Sequence, residues 1–213
     1  MSDSWHQNVK NQNRAKIIAA GRKLFLEHNF LQVNVKEVCV RAEISRITFY
    51  KHFKSIDELI FEVQMDVLEH MTDYIVQRDN PAASGLGRIQ LILHAWVDFA
   101  KEFKDQMKFI ILFDLYYEDY EANVELKQRF QSFVNDSNHK DFLNSAIVQG
   151  IEDKTLKADL DPVKAGYYIF QTMMGVLQRM SYTSLPSVYG VVTYDDIAES
   201  VVDMVLNSVK RGE

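Results

Sequence analysis

A chain of 213 residues, close to half of them apolar, is long enough to bury one sizeable core or a small head and a larger body. Three prolines and eight glycines leave little punctuation, which favours a mostly helical protein, and a single cysteine excludes an internal disulfide framework. The formal charge of −6 conceals a division: residues 1–56 carry ten Lys and Arg against four Asp and Glu, whereas the remainder carries 14 against 26.

A basic start on an acidic protein confines any nucleic-acid surface to that start. No apolar run approaches the roughly 20 residues that span a bilayer. The polar opening MSDSWHQNVKNQNR has no signal-peptide pattern, so no membrane partner and a cytoplasmic location are expected. Residues 1–12 lack apolar periodicity and are expected as a disordered arm. A helix follows over about 13–27, with Ile17, Gly21 and Leu24, together with Ile18 and Phe25, forming its apolar stripe. Asn34 and Glu37 have the spacing of a capping box, which opens a second helix at Val35 with Val38 and Cys39 facing inward and an end near Ala42. A lone small residue such as Cys39 on an inward face reads as core rather than as a redox switch.

Ser45 is placed to cap a third helix. Phe49 and Phe53 are four residues apart and share one side of it, leaving Arg46, Thr48, Lys51 and His52 on the other, with Tyr50 at the flank. No acid occurs from Arg46 to Lys54. A short helix anchored by aromatics and crowned with donors and cations suits recognition of duplex DNA. Arg46, Thr48 and Lys51 are assigned to base edges or adjacent phosphates, with Tyr50, His52, Lys36 and Lys54 on phosphates and Ser45 at the capped turn. Ile47 is expected either to touch a thymine methyl or to pack on the neighbouring helix.

Ser55 and Glu58 form a second capping box, starting a fourth helix over 56–78 that would be about 34 Å long. The stretch DNPAASGLG, 79–87, is the clearest linker. Five further helices are expected over 87–103, 105–120, 122–153 (interrupted near Asn135–Asn138), 162–182 and 194–210. Asp161-Pro162 suits the start of the penultimate one. The last two are apolar on two sides, and Gly166 and Gly175 would admit a close neighbour. One side is therefore expected to meet a second subunit, giving a homodimer through the last two helices.

Trp96, Phe113, Tyr116, Tyr117, Tyr167, Phe170 and Met174 make the body more aromatic than a plain core requires, so they are assigned to a pocket for a small hydrophobic or aromatic effector. An enzyme is not expected. His94 with Asp98, and Asp66 with His70, could pair on a metal but read as surface ion pairs. No Glu-x-x-His segment, Gly-rich phosphate loop or nucleophile motif accompanies them, so no metal or cofactor is expected.

From Arg14 to Leu59 the chain resembles the N-terminal domain of the TetR (tetracycline-repressor) family of transcriptional regulators. The resemblance lies in Arg14, Ile17 to Ala20, Leu24, Phe25, Phe30, Val38, Ala42, Ser45, Thr48, Phe49, Tyr50, Phe53, Ser55 and Leu59. Glu43 stands where that family usually has a turn glycine, and Ile47 where it commonly has a small residue. Ile56 stands where a lysine is common, and Asn29 replaces a glycine, a change that the left-handed tolerance of Asn would accommodate. The resemblance implies an all-α fold: an N-terminal three-helix helix-turn-helix DNA-binding head over 13–55 on a larger helical ligand-binding and dimerisation body over 56–213. It further implies a dimeric repressor on a palindromic operator of double-stranded DNA, released by a small-molecule effector. Action as an activator or coactivator, or as a helical ligand-binding protein with weakened DNA binding, are the alternatives.

Overall fold

The computed structural model describes residues 2–118, 123–135, 141–185 and 192–212, with side chains described from Asn11 onward. The described helices are α1 (Ser2–Glu27), α2 (Val35–Arg41), α3 (Arg46–Tyr50), α4 (Ile56–Val76), α5 (Gly85–Glu102), α6 (Lys104–Tyr117), α7 (Val124–Asn135), α8 (Phe142–Glu152), α9 (Pro162–Tyr182) and α10 (Tyr194–Val209). Among the described residues there is no strand, only an isolated bridge between Leu156 and Lys210. The chain is all-α, as its periodicity implied. The expected break near Asn135–Asn138 falls largely outside the described residues.

The chain divides into two compact units, Met1–Leu68 with Leu112–Val134 and Glu69–Ile111 with Asn135–Glu213. The division does not follow the boundary expected after residue 55, because the start of α4 belongs to the core of the first unit. Leu59 packs on Gly21 of α1, and Phe61 meets Tyr117 of α6 and Phe130 of α7 at ring separations of 4.7 and 5.6 Å. α4 and α6 each supply residues to both units.

In the first unit α1 begins at Ser2, so residues 2–12 of the arm expected as disordered are helical. No Pro or Gly interrupts the first 20 residues, and extending an already anchored helix avoids the nucleation cost. After α1, Asn29 does not take the left-handed conformation expected of it. At φ −62°, ψ 119° its side chain accepts from Leu31 N and opens a single 3-10 turn over Phe30–Gln32. That turn inserts Phe30, which is buried and stacks on Tyr117 at 6.2 Å. Ile17, Leu24, Phe25, Val38, Phe49 and Phe53 complete the buried set around the head. Each such side chain contributes roughly 1.5–3 kcal/mol by leaving water. Across this core Arg14 pairs with Glu62, Arg22 with Asp66 at 2.8 Å, and Arg129 with Glu62.

The second unit packs α5 against α8, α9 and α10. Ser84 caps α5, Asp161 caps α9 with Pro162 in its first turn, and Thr193 with Asp196 forms a capping box on α10. α5 and α8 meet backbone to backbone where Gly85 lies against Gly150. A Cβ on Gly85 would come within 2.1 Å of Gly150 N, so only glycine fits. α9 buries Ile169, Met173, Met174 and Leu177, and α10 buries Val202, Val205 and Val209. Their other sides stay uncovered. Val163, Tyr167, Tyr168 and Met204 are exposed, and Gly175 faces open space.

Arg88 is the charged group most deeply set in this unit. Its guanidinium grips Asp79 with two bonds of 3.0 and 2.6 Å, and also donates to Ser145 and Gln149 at 3.2 and 2.9 Å. Both partners of the ion pair are nearly inaccessible, with side chains 7% and 9% exposed. The Asp79 bond raises the Arg88 pKa against the opposing effect of burial. Removing one partner strands the other without water. Arg88→Met is therefore expected to cost about 3–5 kcal/mol in urea denaturation, and Arg88→Met with Asp79→Leu distinctly less than the single change.

Candidate nucleic-acid interface

α2 is opened by the expected capping box: Asn34 accepts from Lys36 N and Glu37 N, while Glu37 returns a bond to Asn34 N. It closes with Ile44 N bonding Cys39 O at 3.0 Å and Glu43 N bonding Val40 O, a pairing that requires a left-handed residue between them. That residue is Glu43, at φ 55°. Lacking glycine's freedom, it carries conformational strain of about 1–2 kcal/mol. The chain then turns into α3, whose first amides are held by Ser45: its Oγ accepts from Thr48 N at 3.1 Å and lies 3.0 Å from Thr48 Oγ1.

Two rings fix how α3 is rotated about its axis. Phe49 and Phe53 are buried with ring centroids 5.7 Å apart, and the Arg14 guanidinium lies over Phe53 at 5.3 Å. What remains outward is Arg46, Ile47, Tyr50 and Lys51, all exposed, with Thr48 and His52 half-buried beside them. Tyr50 leans edge-on against Phe49 at 5.4 Å. Lys36 on α2, Ser45 in the turn and Lys54 beyond α3 are exposed as well. The start of α4 shifts its expected capping box by one residue: Ser55 Oγ accepts from Glu58 N, but the Glu58 carboxylate binds Lys54 N.

The cations of the head fall into two groups. Arg14, Arg22 and Arg41 are engaged by Glu62, Asp66 and Glu27. Lys36, Arg46, Lys51 and Lys54 enter no ion pair among the described residues. The sequence-assigned residues lie on α2, on α3 and in the turns flanking α3, and four of them carry positive charge with no ion pair among the described residues, as does Lys16 on α1. Ile47, 73% exposed, does not pack on a neighbouring helix. Cys39 is core: burial pushes its thiol pKa up, against the field of Arg46, which opposes reactivity.

The seven residues assigned to an effector divide between the two units. Phe113, Tyr116 and Tyr117 belong to the first unit and Trp96, Tyr167, Phe170 and Met174 to the second, so neither unit gathers all seven. Tyr116 and Tyr167 are more than half exposed. Aromatic content alone does not report which face of a helix turns inward. In the first unit a cleft of about 470 Å³ has walls of Phe61, Phe113, Tyr117 and Phe130 and a rim of Asp114, Lys127 and Gln131. Partial loss of hydration raises the Asp114 carboxyl to about 6, although the residue as a whole is exposed. In the second unit a cleft of about 320 Å³ is lined by Val97, Ala100, Leu177 and Met180 with Lys101 and Lys104, and by none of the seven. Trp96 does meet Phe170, at 5.9 Å, but its buried indole N–H has no acceptor among the described residues. Among the described residues no group of three or more His, Cys, Asp or Glu is arranged to hold a metal ion. His70 instead faces Gln106 at 3.0 Å, and His94 lies 3.9 Å from Glu199.

A capped helix, a left-handed turn and a second capped helix with outward cations form a helix-turn-helix in an all-helical chain, a motif suited to duplex DNA. The family model for bacterial regulatory proteins of the tetR family matches residues 17–63, which span this motif. Over those residues the chain is similar to that family's N-terminal domain. Its fold, head and body together, is shared with solved structures of low identity. A tetR-family regulatory protein from Rhodococcus RHA1 superimposes with a TM-score of 0.67 at 15% identity, covering 94% of this chain and 98% of that one. The ketosteroid transcriptional regulator KstR2 of Mycobacterium tuberculosis gives 0.61 at 18% identity, covering 93% and 95%. The transcriptional regulator FadR of Bacillus subtilis, solved in complex with stearoyl-CoA, gives 0.65 at 16% identity, covering 90% and 97%. Among curated proteins no sequence matches.

The strained turn has a measurable consequence. Glu43→Gly is expected to raise stability by about 0.5–1 kcal/mol, the relief of the left-handed strain less the added freedom of the unfolded chain. Glu43→Ala, which removes the same charge but keeps the strain, is expected to show no such gain in a urea titration.

Proposed function

We propose that the protein is a dimeric transcriptional repressor that holds a palindromic operator through the α3 helices of two copies and releases it on binding a small hydrophobic or aromatic effector. The observation that carries this reading is the outward face of α3: Arg46, Tyr50 and Lys51 exposed, Lys36 and Lys54 at its margins, and no acid from Arg46 to Lys54. Arg46 is suited to the two acceptors of guanine in the major groove, and the lysines to phosphates on either side. The hydroxyl of Thr48 lies beside Ser45, so its part is the turn as much as the base edge.

Dimerisation is supported by the uncovered side of α9 and α10. Val163, Tyr167 and Phe170 recur at helical spacing, and Met204 is 63% exposed on α10. An apolar surface of this kind is stable in water when a second copy covers it. Two α3 helices about 34–36 Å apart would then meet successive major grooves. An effector that fits one arrangement of the body would shift the population of that spacing, and α4, common to both units, is the covalent route for the coupling. A hydrophobic effector is in keeping with neighbours whose names point to ketosteroids and with one solved with an acyl-CoA. The two clefts, one walled by aromatic rings and one floored by aliphatic side chains, are the places to look for it.

Binding of the full-length protein to the intergenic DNA beside its gene, measured across salt concentrations, tests the reading. Arg46→Ala and Lys51→Ala are each expected to weaken binding at least tenfold. For every phosphate no longer neutralised, the salt slope should fall by about 0.9. Unchanged affinity and slope would refute the assigned roles. Tyr167→Glu with Met204→Glu is expected to give monomers by sedimentation analysis and to weaken operator binding on the order of a hundredfold while the helical content is kept.

A further inference from the structure

Ile47 lies in the first turn of α3, beside Arg46 and one turn before Tyr50 and Lys51. With 73% of its surface accessible it is as exposed as any described large apolar side chain of the protein. Exposure there costs free energy and nothing in the head recovers it. Arg46 precedes it and Lys51 lies one turn on, both exposed and without an ion pair among the described residues, which disfavours an apolar protein surface as its cover and favours a polyanion. The major groove of duplex DNA offers one prominent apolar feature, the C5-methyl of thymine. A β-branched side chain on a helix holds essentially one χ1 rotamer, so Ile47 presents its methyl groups in a fixed direction without further loss of entropy on contact.

Resting on the DNA-binding reading above, we infer that Ile47 packs against a thymine methyl in each operator half-site and is a specificity-determining residue of this protein. The partner base pair follows from the helix: it lies next to the one read by Arg46, since the two side chains are adjacent on α3. A small residue in place of Ile47 would leave the methyl in water and the pair unread.

The test uses the full-length protein and duplexes that it selects from a random pool. Each thymine of the selected half-site is replaced in turn by deoxyuridine, which deletes the methyl and leaves every hydrogen-bonding group in place. One thymine per half-site is expected to be sensitive, with affinity falling about three- to fivefold for one half-site. Replacement in both half-sites should cost on the order of tenfold. Ile47→Ala should bind the thymine duplex as weakly as the wild type binds the deoxyuridine one and should no longer distinguish the two. Ile47→Val should fall between. Because the side chain touches little in the head, both variants should melt with the wild type, which separates a weakened groove interaction from a damaged fold. Equal binding of thymine and deoxyuridine duplexes at every position, or a difference that survives in Ile47→Ala, would overturn the inference while leaving the DNA-binding reading intact. Failure to enrich any duplex would overturn both.

Discussion

Burial of Phe49 and Phe53 is the constraint on which the functional surface depends. α3 has five residues, too few to hold a helical shape alone, and its persistence rests on the Ser45 cap at one end and the two rings beneath. Once those rings are packed, with Arg14 over the second, the rotation of the helix is settled. The groups between them have only one direction to face. The proposed recognition surface is thus a by-product of core packing: Arg46, Ile47, Tyr50 and Lys51 point outward because Phe49 and Phe53 point inward.

The same logic explains what could be read from the chain beforehand. Caps and turns are made by residues close in sequence, so Asn34 with Glu37, Ser45 with Thr48, and Asp161 with Pro162 were legible from spacing alone, and with them α2, α3 and the start of α9. Features that depend on distant partners were not. Nothing local to Asn29 says that Phe30 will stack on Tyr117 and draw the chain into a 3-10 turn rather than a left-handed cap. Nothing local to α4 says that Phe61 will share a core with α6 and α7, which is why the compact units ignore the expected boundary. Glu43 shows the reverse case. The need for a left-handed residue follows from the bonds of Ile44 and Glu43 to the end of α2, and the sequence places there a residue that resists it.

The aromatic set assigned to the effector is distributed for a related reason. Aromatic content carries no azimuth, and α6 has its rings on more than one side, Phe113 and Tyr117 inward and Tyr116 outward. In the second unit the packing is set by small residues and charges that carry no local signal: Gly85 against Gly150 sets how closely α5 and α8 approach, and Arg88 ties the linker residue Asp79 to α8. These contacts make a firm scaffold behind α9 and α10, whose outer sides are left apolar.

The internal pairing of Arg14, Arg22 and Arg41 bears on how such a protein would travel in a cell. A head whose positive charges were all free would cling to any stretch of genome, since attraction to phosphates is blind to sequence. Here three arginines are neutralised within the fold by Glu62, Asp66 and Glu27. The long-range pull is accordingly shallower than the count of basic residues implies. On the proposed reading, residence on random DNA would be shortened, and a larger share of the discrimination would fall to the few side chains that reach the groove.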